Sequence, residues 1–438
     1  MGENNVMTNL CEFVFCSSIM NKIFKYFDLS QKTNVNDLKN LNLVSKNVNK
    51  KVRSIFNHKL VFLLNDDNID KVCAKKIRVK DAKCKDETLR FIKDTFKYLM
   101  FNEPTSINNK KILGMEDLEQ FNVKKIHFIF YCDIPIEYIP TSCTLTHITF
   151  GNNFNNPIDN LLPSSVTHLD FGYYFNQPID YLPQSLTHLS FDQKFNQSMD
   201  HLPSSLIYLY TGVLFNQLID HLPSSLHELV FGYWFNQPID HLPKSLSILG
   251  LGEKFNQLID ELPNSIKHLT LGGNFNQPID HLPSSLKYLK VGCNFNQPID
   301  NLPPLLIHLN LTVAKIFNQT VDHLPLSLER LEFGDSFNQS VDYLPPSLKR
   351  LEFGDSFNQS VDYLPQFLKR LEFGYRFKQF VDCLPQSIKR LTFGPVFNRP
   401  IDLLPSSLVY LQLGSHFNNS IYHFAPNLKV VFFKSFDH

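Results

Sequence analysis

The sequence predicts an α+β chain in two unlike parts, a small helical amino-terminal domain followed by a long parallel β solenoid of 20-residue coils. Three observations predict this fold class. A Phe recurs about every 20 positions from residue 154 to residue 417, one short phrase surrounds each of these Phe residues, and the first 120 residues lack that period. The composition agrees, since 40 Phe against one Trp and 26 Pro against 16 Gly is the bias that a repeated phrase produces.

The repeat contains fourteen Phe residues, and thirteen of them are followed by Asn. The step is 20 residues, except for a step of 21 at the start and one of 22 near Val313 and Ala314. A representative unit, residues 226–245, reads L-x-x-L-x-F-G-x-x-F-N-Q-P-I-D-x-L-P-x-S. A weaker copy begins at Cys132, and residues 123–128 supply an isolated first strand before it.

Each unit is too short to close a core alone, so we interpret it as one coil of a solenoid. Leu and Phe alternate with polar residues in L-x-F, which predicts a short half-buried strand, and stacked coils would align these strands into a parallel sheet. The D-x-L-P half predicts a turn or polyproline II segment, because Pro disfavours helix. We expect Phe235 and its equivalents to stack as an aromatic spine. Asn236 and its equivalents should form a ladder in which each amide bonds the backbone of a neighbouring coil.

This pattern is typical of the leucine-rich-repeat class, and the phrase F-N-Q-P-I-D is more specific. With it, residues 132–433 resemble the FNIP repeats, a short leucine-rich repeat of amoebae and of some large DNA viruses that infect them. The resemblance implies about 15 repeats over residues 123–433, followed by a tail at 434–438. Lys378 departs from the signature, as does Tyr422 in the last copy, where a cap is expected to be irregular.

The amino-terminal segment is different in kind. After a tail at residues 1–14, residues 17–27 place apolar side chains on one helical face, residues 37–44 predict a second short helix, and Ser45 can cap a third. The segments I-F-K-Y-F (23–27), D-L (37–38) and L-V-S-K (43–46) resemble the F-box, over residues 15–56. Phe15-Cys16 stands where that family shows Leu-Pro, and the loop over residues 30–36 is long.

The F-box resemblance implies docking on a Skp-type adaptor and, through it, on a cullin ubiquitin ligase. Three short helices form a small core, which also favours a partner. The predicted adaptor-binding residues are Phe15, Ile19, Ile23, Phe24, Leu38, Leu41 and Val44. Residues 57–122 are interpreted as a helical connector and solenoid cap, with an amphipathic helix from Thr88 to Met100.

Charge and cysteine usage exclude several function classes. Basic and acidic residues number 42 each, which argues against nucleic acid and membrane partners. Eight cysteines without a C-x-x-C pair indicate neither a disulfide framework nor a zinc site. No stretch reads as a signal peptide or membrane span. We therefore expect no cofactor and an intracellular location, in the cytoplasm, or in the host cytoplasm for a viral chain.

The carboxylates and histidines of the repeats raise the question of chemistry. The Asp column, residues 159 to 402, is uniform, whereas acid–base work needs two carboxylates in unlike environments. We interpret these Asp residues as turn caps that bond backbone amides near Leu-Pro. His147, His168 and His188 fall on neighbouring strands, where a metal site competes with a plain ladder of solvated histidines, and the ladder is favoured.

The residue before the last Leu of each strand should face away from the core, on the broad concave surface with which solenoids bind. The predicted target-binding residues are His147, His168, His188, Tyr208, Arg330, Arg350, Arg370, Arg390, Glu332, Glu352 and Glu372. Arg and Glu should alternate along the carboxyl-terminal half. The competing interpretation of this half is mutual neutralisation of charges on a solvated sheet.

Three functions compete. The leading hypothesis is a substrate-recognition adaptor of a Skp/cullin ubiquitin ligase, whose solenoid binds an unknown target protein. The runner-up is a non-enzymatic scaffold or binding module with a degenerate F-box. An enzyme is third, because the sequence shows no phosphate loop, metal cluster or activated nucleophile.

Overall fold

The computed structural model describes residues 98–101 and 125–128 as backbone strands, and residues 144–420 and 428–432 in full. All of these belong to the second of two compact units, Val61–His438. The predicted F-box-like helices and the seven adaptor-binding residues lie outside the described residues. Across the part of the chain that is described, no helix is long and apolar enough to cross a membrane.

The described residues contain seventeen strands and form a parallel β solenoid with about 14 coils of ~20 residues. The strands are β1 Tyr98–Phe101, β2 Lys125–Phe128, β3 His147–Thr149, β4 His168–Asp170, β5 His188–Ser190, β6 Tyr208–Tyr210, β7 Glu228–Val230, β8 Ile248–Gly250, β9 His268–Thr270, β10 Tyr288–Lys290, β11 His308–Asn310, β12 Arg330–Glu332, β13 Arg350–Glu352, β14 Arg370–Glu372, β15 Arg390–Thr392, β16 Tyr410–Leu413 and β17 Lys429–Phe432.

Each strand pairs in parallel with the next strand along the chain, from β1 to β17. The register advances by one repeat, so that Leu229 of β7 lies opposite Leu249 of β8 and Leu331 of β12 lies opposite Leu351 of β13. The strands β3 to β15 are three residues long with a buried middle residue. The predicted half-buried strand of the L-x-F segment is therefore confirmed.

The amino-terminal edge of the sheet differs from the prediction. Tyr98–Phe101 is strand β1, paired residue by residue with Lys125–Phe128, whereas the apolar spacing of residues 88–100 predicts a helix there. The helix prediction is wrong for residues 98–100, and residues 123–128 are neither isolated nor the first strand. A four-residue run of large apolar side chains supports helix and strand alike, and pairing with β2 decides between them.

The core is made of Leu, Ile and Phe columns that run the length of the solenoid. The fourteen Phe of the repeat stack coil upon coil, with ring centroids 5.9–6.4 Å apart and ring planes within 15° of parallel. Phe235, Phe255 and Phe275 have no exposed surface. Burial of each such side chain contributes about 1.5–3 kcal/mol, so the predicted aromatic spine is confirmed as one of the apolar connections between coils.

The Asn that follows each Phe forms the predicted ladder. Its side-chain oxygen accepts a hydrogen bond from the backbone N–H of the equivalent residue in the next coil, as in Asn256 N to Asn236 Oδ1 at 2.9 Å and Asn276 N to Asn256 Oδ1 at 2.9 Å. In most coils the following Gln adds a second bond, for example Gln277 Nε2 to Asn256 O at 3.1 Å. Backbone amides that lie outside the sheet thereby gain a hydrogen-bond acceptor from a side chain in place of a neighbouring strand.

The D-x-L-P half of each coil is turn, as predicted. Pro243 O accepts from Leu246 N at 3.1 Å and closes the turn that leads into β8. The Ser of this turn also joins coils, since Ser245 Oγ donates to Leu226 O of the coil before at 2.6 Å. Glycine permits the closest approach, because a Cβ on Gly252 would lie 1.8 Å from the carbonyl oxygen of Gly232.

Lys378 is the one position of the Phe-Asn column where the amide is replaced, so it offers a direct test of the ladder. Lys378 N–H still donates to Asn358 Oδ1 at 2.9 Å, but a Lys side chain has no acceptor for the Asn398 N–H of the next coil. We expect Lys378→Asn to raise the free energy of unfolding by about 0.5–1.5 kcal/mol. Urea unfolding measures this, with Lys378→Ala as the control that supplies no amide. An unchanged midpoint for Lys378→Asn would show that the ladder contributes nothing.

Candidate protein-binding face

The sheet has one face against the Leu and Phe core, and the first and third residues of each strand from β3 to β17 lie on the other, which we call the open face. The backbone register aligns the first residues in one column across neighbouring strands, from His147 to Lys429. The column reads His147, His168, His188, Tyr208, Glu228, Ile248, His268, Tyr288, His308, Arg330, Arg350, Arg370, Arg390, Tyr410 and Lys429.

At the amino-terminal end of the open face three imidazole rings stack. The ring centroids of His147 and His168 are 4.0 Å apart and those of His168 and His188 are 4.1 Å apart, with interplanar angles of 11° and 7°. Each Nδ1 lies 2.8–2.9 Å from the hydroxyl of the Thr that precedes it. The Thr contacts fix the rings face to face, so the nitrogens do not converge. Among the described residues, no group of three or more His, Cys, Asp or Glu side chains could hold a metal ion.

Over β6 to β8 the open face is apolar apart from Glu228 and the Tyr hydroxyls. Tyr208 and Tyr210 lie on one strand, and Val230, Ile248 and Gly250 follow on the next two. Burial raises the pKa of Tyr208, with the charge of Glu228 adding to it, and burial likewise raises the pKa of Tyr210. Both phenols are therefore neutral hydrogen-bonding groups beside an apolar strip, a composition enriched in protein interfaces.

Glu332 is the most enclosed charge of the open face, with 2% of its surface exposed. Its carboxylate accepts hydrogen bonds from Asn310 Nδ2 at 2.6 Å and from Arg330 Nε at 2.5 Å, and His308 Nε2 lies 3.3 Å away. Burial opposes ionisation of this carboxyl, but the contacts with His308 and Arg330 outweigh it and lower its pKa. Glu332 is thus a buried ion with three hydrogen-bonding partners, in contrast to the solvated charge that the sequence suggests.

The Arg and Glu residues after Glu332 form a zigzag. Arg350 contacts the carboxylates of both Glu332, at 3.9 Å, and Glu352. Arg370 in turn contacts Glu352 at 3.8 Å and Glu372. Burial raises the pKa of Glu352, helped by the charge of Glu372 and opposed by Arg350. The predicted alternation is confirmed, and each inner Arg is shared between two carboxylates.

All eleven predicted target-binding residues lie on the open face. The structure brings them together in two groups, the histidines with Tyr208 over β3 to β6, and the Arg and Glu residues over β12 to β15. Sequence reasoning missed the lysines that precede β14 and β15, Lys369 and Lys389, and it missed Lys429 of β17. It also missed that Arg390 lies over the ring of Tyr410, 4.4 Å from its centroid. The K-R dipeptides at 369–370 and 389–390 could have revealed Lys369 and Lys389 from the sequence.

The Asp column on the opposite, turn side of the coil differs from the prediction. Within residues 144–420, its side chains bond residues of the next coil and nearby Ser hydroxyls, and not the Leu-Pro backbone. His201 Nδ1 lies 3.1 Å from Asp180 Oδ1, and His221 Nδ1 lies 3.4 Å from Asp200 Oδ1. The Ser198 hydroxyl lowers the pKa of Asp200, and His221 acts in the same direction. These side chains are exposed and form pairs worth little in stability.

The family model described as FNIP Repeat matches ten overlapping or adjoining segments between residues 133 and 416, which together cover more than half of the chain. The chain belongs to the FNIP repeat family. Its FNIP repeats coincide with the coils that carry the Phe spine and the Asn ladder. The resemblance in the F-N-Q-P-I-D phrase is therefore confirmed.

Among solved structures, the FNIP solenoid is similar to the crystal structure of CroV588, described as a novel circular LRR protein structure, with 40% sequence identity and a TM-score of 0.61. That likeness covers 71% of this chain and 56% of CroV588, so the chain spans little more than half of that relative. YopM from Yersinia enterocolitica matches at 20% identity and a TM-score of 0.43, covering 70% of this chain and 78% of YopM. A comparison with curated proteins finds no match.

Glu332 and Glu352 form a matched pair, because residues 330–345 and 350–365 are identical in sequence. The lowered pKa of Glu332 means that its ionised form stabilises the fold above its ordinary pKa, and that this stability is lost as pH falls. The raised pKa of Glu352 has the opposite sign, so its contribution is lost as pH rises.

We therefore expect Glu332→Gln to lower the free energy of unfolding at pH 7 by about 1–3 kcal/mol, and Glu352→Gln to lower it less or to raise it. The deficit of Glu332→Gln should shrink on acidification to about pH 3, below the ordinary pKa of Glu. Urea unfolding at both pH values measures this. Equal deficits for the two variants, or a Glu332→Gln deficit independent of pH, would contradict the assignment.

Proposed function

We propose that the chain is a target-recognition subunit of a Skp/cullin ubiquitin ligase, in which the open face holds a target protein and residues 15–56 dock on the adaptor. The observation that carries the binding role is a contrast between columns of the same coil. The Phe, Asn and Pro columns hardly change along the solenoid, whereas the open-face column changes from His to Tyr, Glu, Ile and Arg. The side chains that vary between coils are therefore those that do not pack in the core, as expected of a surface that binds a partner.

The architecture supports a binding role. Repeat solenoids of this class are typically non-enzymatic protein-binding modules, and an extended sheet of exposed side chains is the surface that they use. Parallel strands spaced by about 4.8 Å give the thirteen steps from β3 to β16 a length of roughly 60 Å. That is enough for a standard protein interface.

A protein target fits the open face better than nucleic acid. The Arg residues of β12 to β14 are each paired with carboxylates, and the apolar strip around Tyr210 and Val230 offers no positive charge. A nucleic-acid surface needs a long run of free cations to neutralise successive phosphates, and the face from β6 to β14 does not provide one. Tyr, His and Arg side chains around an apolar strip are instead the composition of a protein hot spot.

The ligase role rests on the F-box resemblance of residues 15–56. Its L-V-S-K segment, residues 43–46, is the best part of that resemblance, and the predicted docking side chains are apolar. A non-enzymatic scaffold is the second candidate. The observation that favours it is Phe15-Cys16, which replaces the Leu-Pro of the F-box family.

A full-length double variant, Phe24→Ala with Leu41→Asp, tests adaptor docking. Burial of one such side chain contributes about 1.5–3 kcal/mol, so we expect capture of a purified Skp-type adaptor to weaken more than tenfold. Lys25→Ala is the control, because Lys25 falls on the opposite face of the predicted helix. Circular dichroism reports whether each variant folds. A folded double variant that captures the adaptor like the parent chain would exclude this docking patch, and no capture by the parent chain would favour the scaffold.

A further inference from the structure

We propose that the carboxyl-terminal end of the open face binds an extended acidic segment of the partner protein. We call this surface the basic end and define it by Lys369, Arg370, Lys389, Arg390 and Lys429, which lie on or immediately before β14, β15 and β17. The proposal rests on the binding role of the open face and adds the chemistry of the segment that the face recognises.

The basic end exists because the carboxylate column stops while the cations continue. Along β12, β13 and β14 the third strand residue is Glu, but on β15 and β16 it is Thr392 and Gln412. Within residues 144–420 and 428–432, no ion pair within 4.0 Å involves Lys369, Lys389, Arg390 or Lys429. Four exposed cations of this described part are thus without an ion pair, and the carboxylate of Glu372 is already paired with Arg370.

Arg390 is already held in place for a ligand. Its guanidinium lies over the ring of Tyr410, 4.4 Å from the centroid, and the Tyr410 hydroxyl donates to Gln412 Oε1 at 2.8 Å. Arg390 is exposed, so the N–H donors of its guanidinium are accessible for a bidentate bond with a carboxylate. Because the side chain is held by the ring, less rotamer entropy is lost when a carboxylate binds.

The spacing of the cations fits a short extended chain. Lys389 N donates to Lys369 O at 2.9 Å, so these two lysines occupy equivalent positions in adjacent coils. Three strand spacings from β14 to β17 amount to about 14 Å, which an extended peptide crosses in roughly four residues. Val409 occupies the equivalent position in the next coil, between Lys389 and Lys429, and is 55% exposed. A segment with acidic side chains and an apolar residue among them therefore matches the surface.

Carboxylates suit this surface better than a polyphosphate chain. The basic end is only about 14 Å long, Glu372 lies on its first strand, β14, and Glu352 follows on β13 directly beyond it. A longer polyanion would meet those like charges, and the Asp column lines the other side of the coil. A protein segment ends or changes charge within the required distance, whereas a nucleic acid backbone does not.

The test uses the full-length chain and the fluorescein-labelled peptide Gly-Glu-Glu-Val-Glu-Glu-Val-Gly, with binding followed by anisotropy. The test variant is Lys389→Glu with Arg390→Glu. The matched control is Lys267→Glu with Lys287→Glu, because these exposed lysines precede β9 and β10 as Lys369 and Lys389 precede β14 and β15. Both variants change the net charge equally. Thermal unfolding of each variant checks that the solenoid stays folded.

We expect the test variant to weaken peptide binding by about tenfold or more, and the control variant by less than about twofold. Arg390→Lys should give an intermediate loss, since it keeps the charge and removes the planar fork. The peptide with Gln in place of Glu should not bind. The proposal is overturned if the acidic peptide does not bind the parent chain, if both variants weaken it equally, or if a single-stranded oligonucleotide binds the same residues as tightly.

Adaptor capture measured on the same variants separates this proposal from the ligase role. We expect Lys389→Glu with Arg390→Glu to capture the Skp-type adaptor like the parent chain. If no chain captures the adaptor while the peptide follows the variant pattern, the ligase role fails and the basic end stands. Adaptor capture without peptide binding overturns the basic end alone.

Discussion

The structure depends on one hydrogen bond repeated from coil to coil, the bond from a backbone N–H to the side-chain oxygen of the Asn one coil earlier. It occurs in every coil step from Asn155 to Lys378, at 2.8–3.0 Å. A turn at this place has no strand neighbour to satisfy its amides, and an amide side chain supplies the missing acceptor. The Phe beside it adds apolar contact along the same axis, so one dipeptide provides both polar and apolar connections between coils.

Because the core and turn residues hold the coils together, the side chains of the open face are available for binding. Coils are joined by the Phe, Asn and Ser columns, so the outward residues of each strand are not required for stacking. The exception is Glu332, which is buried between the His of one coil and the Arg of its own. At that point the open face changes from His and Tyr to Arg and Glu. The buried Glu332 carboxylate contacts both kinds of residue and so marks the boundary between them. Beyond it, the cations outnumber the carboxylates only after the Glu column ends.

Much of the fold could be predicted from the sequence because each structural residue is repeated about fourteen times. The Phe spine, the Asn ladder and the strand position all follow from columns. Single events could not be predicted. Glu332 and Glu352 lie in identical segments, yet the pKa of one is lowered and that of the other is raised. The difference comes from the neighbouring coils, because His308 contacts Glu332 whereas Glu352 has the like charges of Glu372 and Glu332 on its two sides. Residues Tyr98–Phe101 could not be predicted for a similar reason, because pairing with strand β2 makes them a strand and not a helix.

Native-state hydrogen exchange of the Asn backbone amides tests the central role of the ladder most directly. The amides of Asn256, Asn276 and Asn296 lie outside the strands but donate to the Asn side chain of the coil before. The account predicts slow exchange for them, close to that of the buried strand amides, and faster exchange at Asn398, which follows the Lys378 coil. Exchange at these three amides as fast as at Asn398 would contradict the claim that side-chain amides hold the coils together.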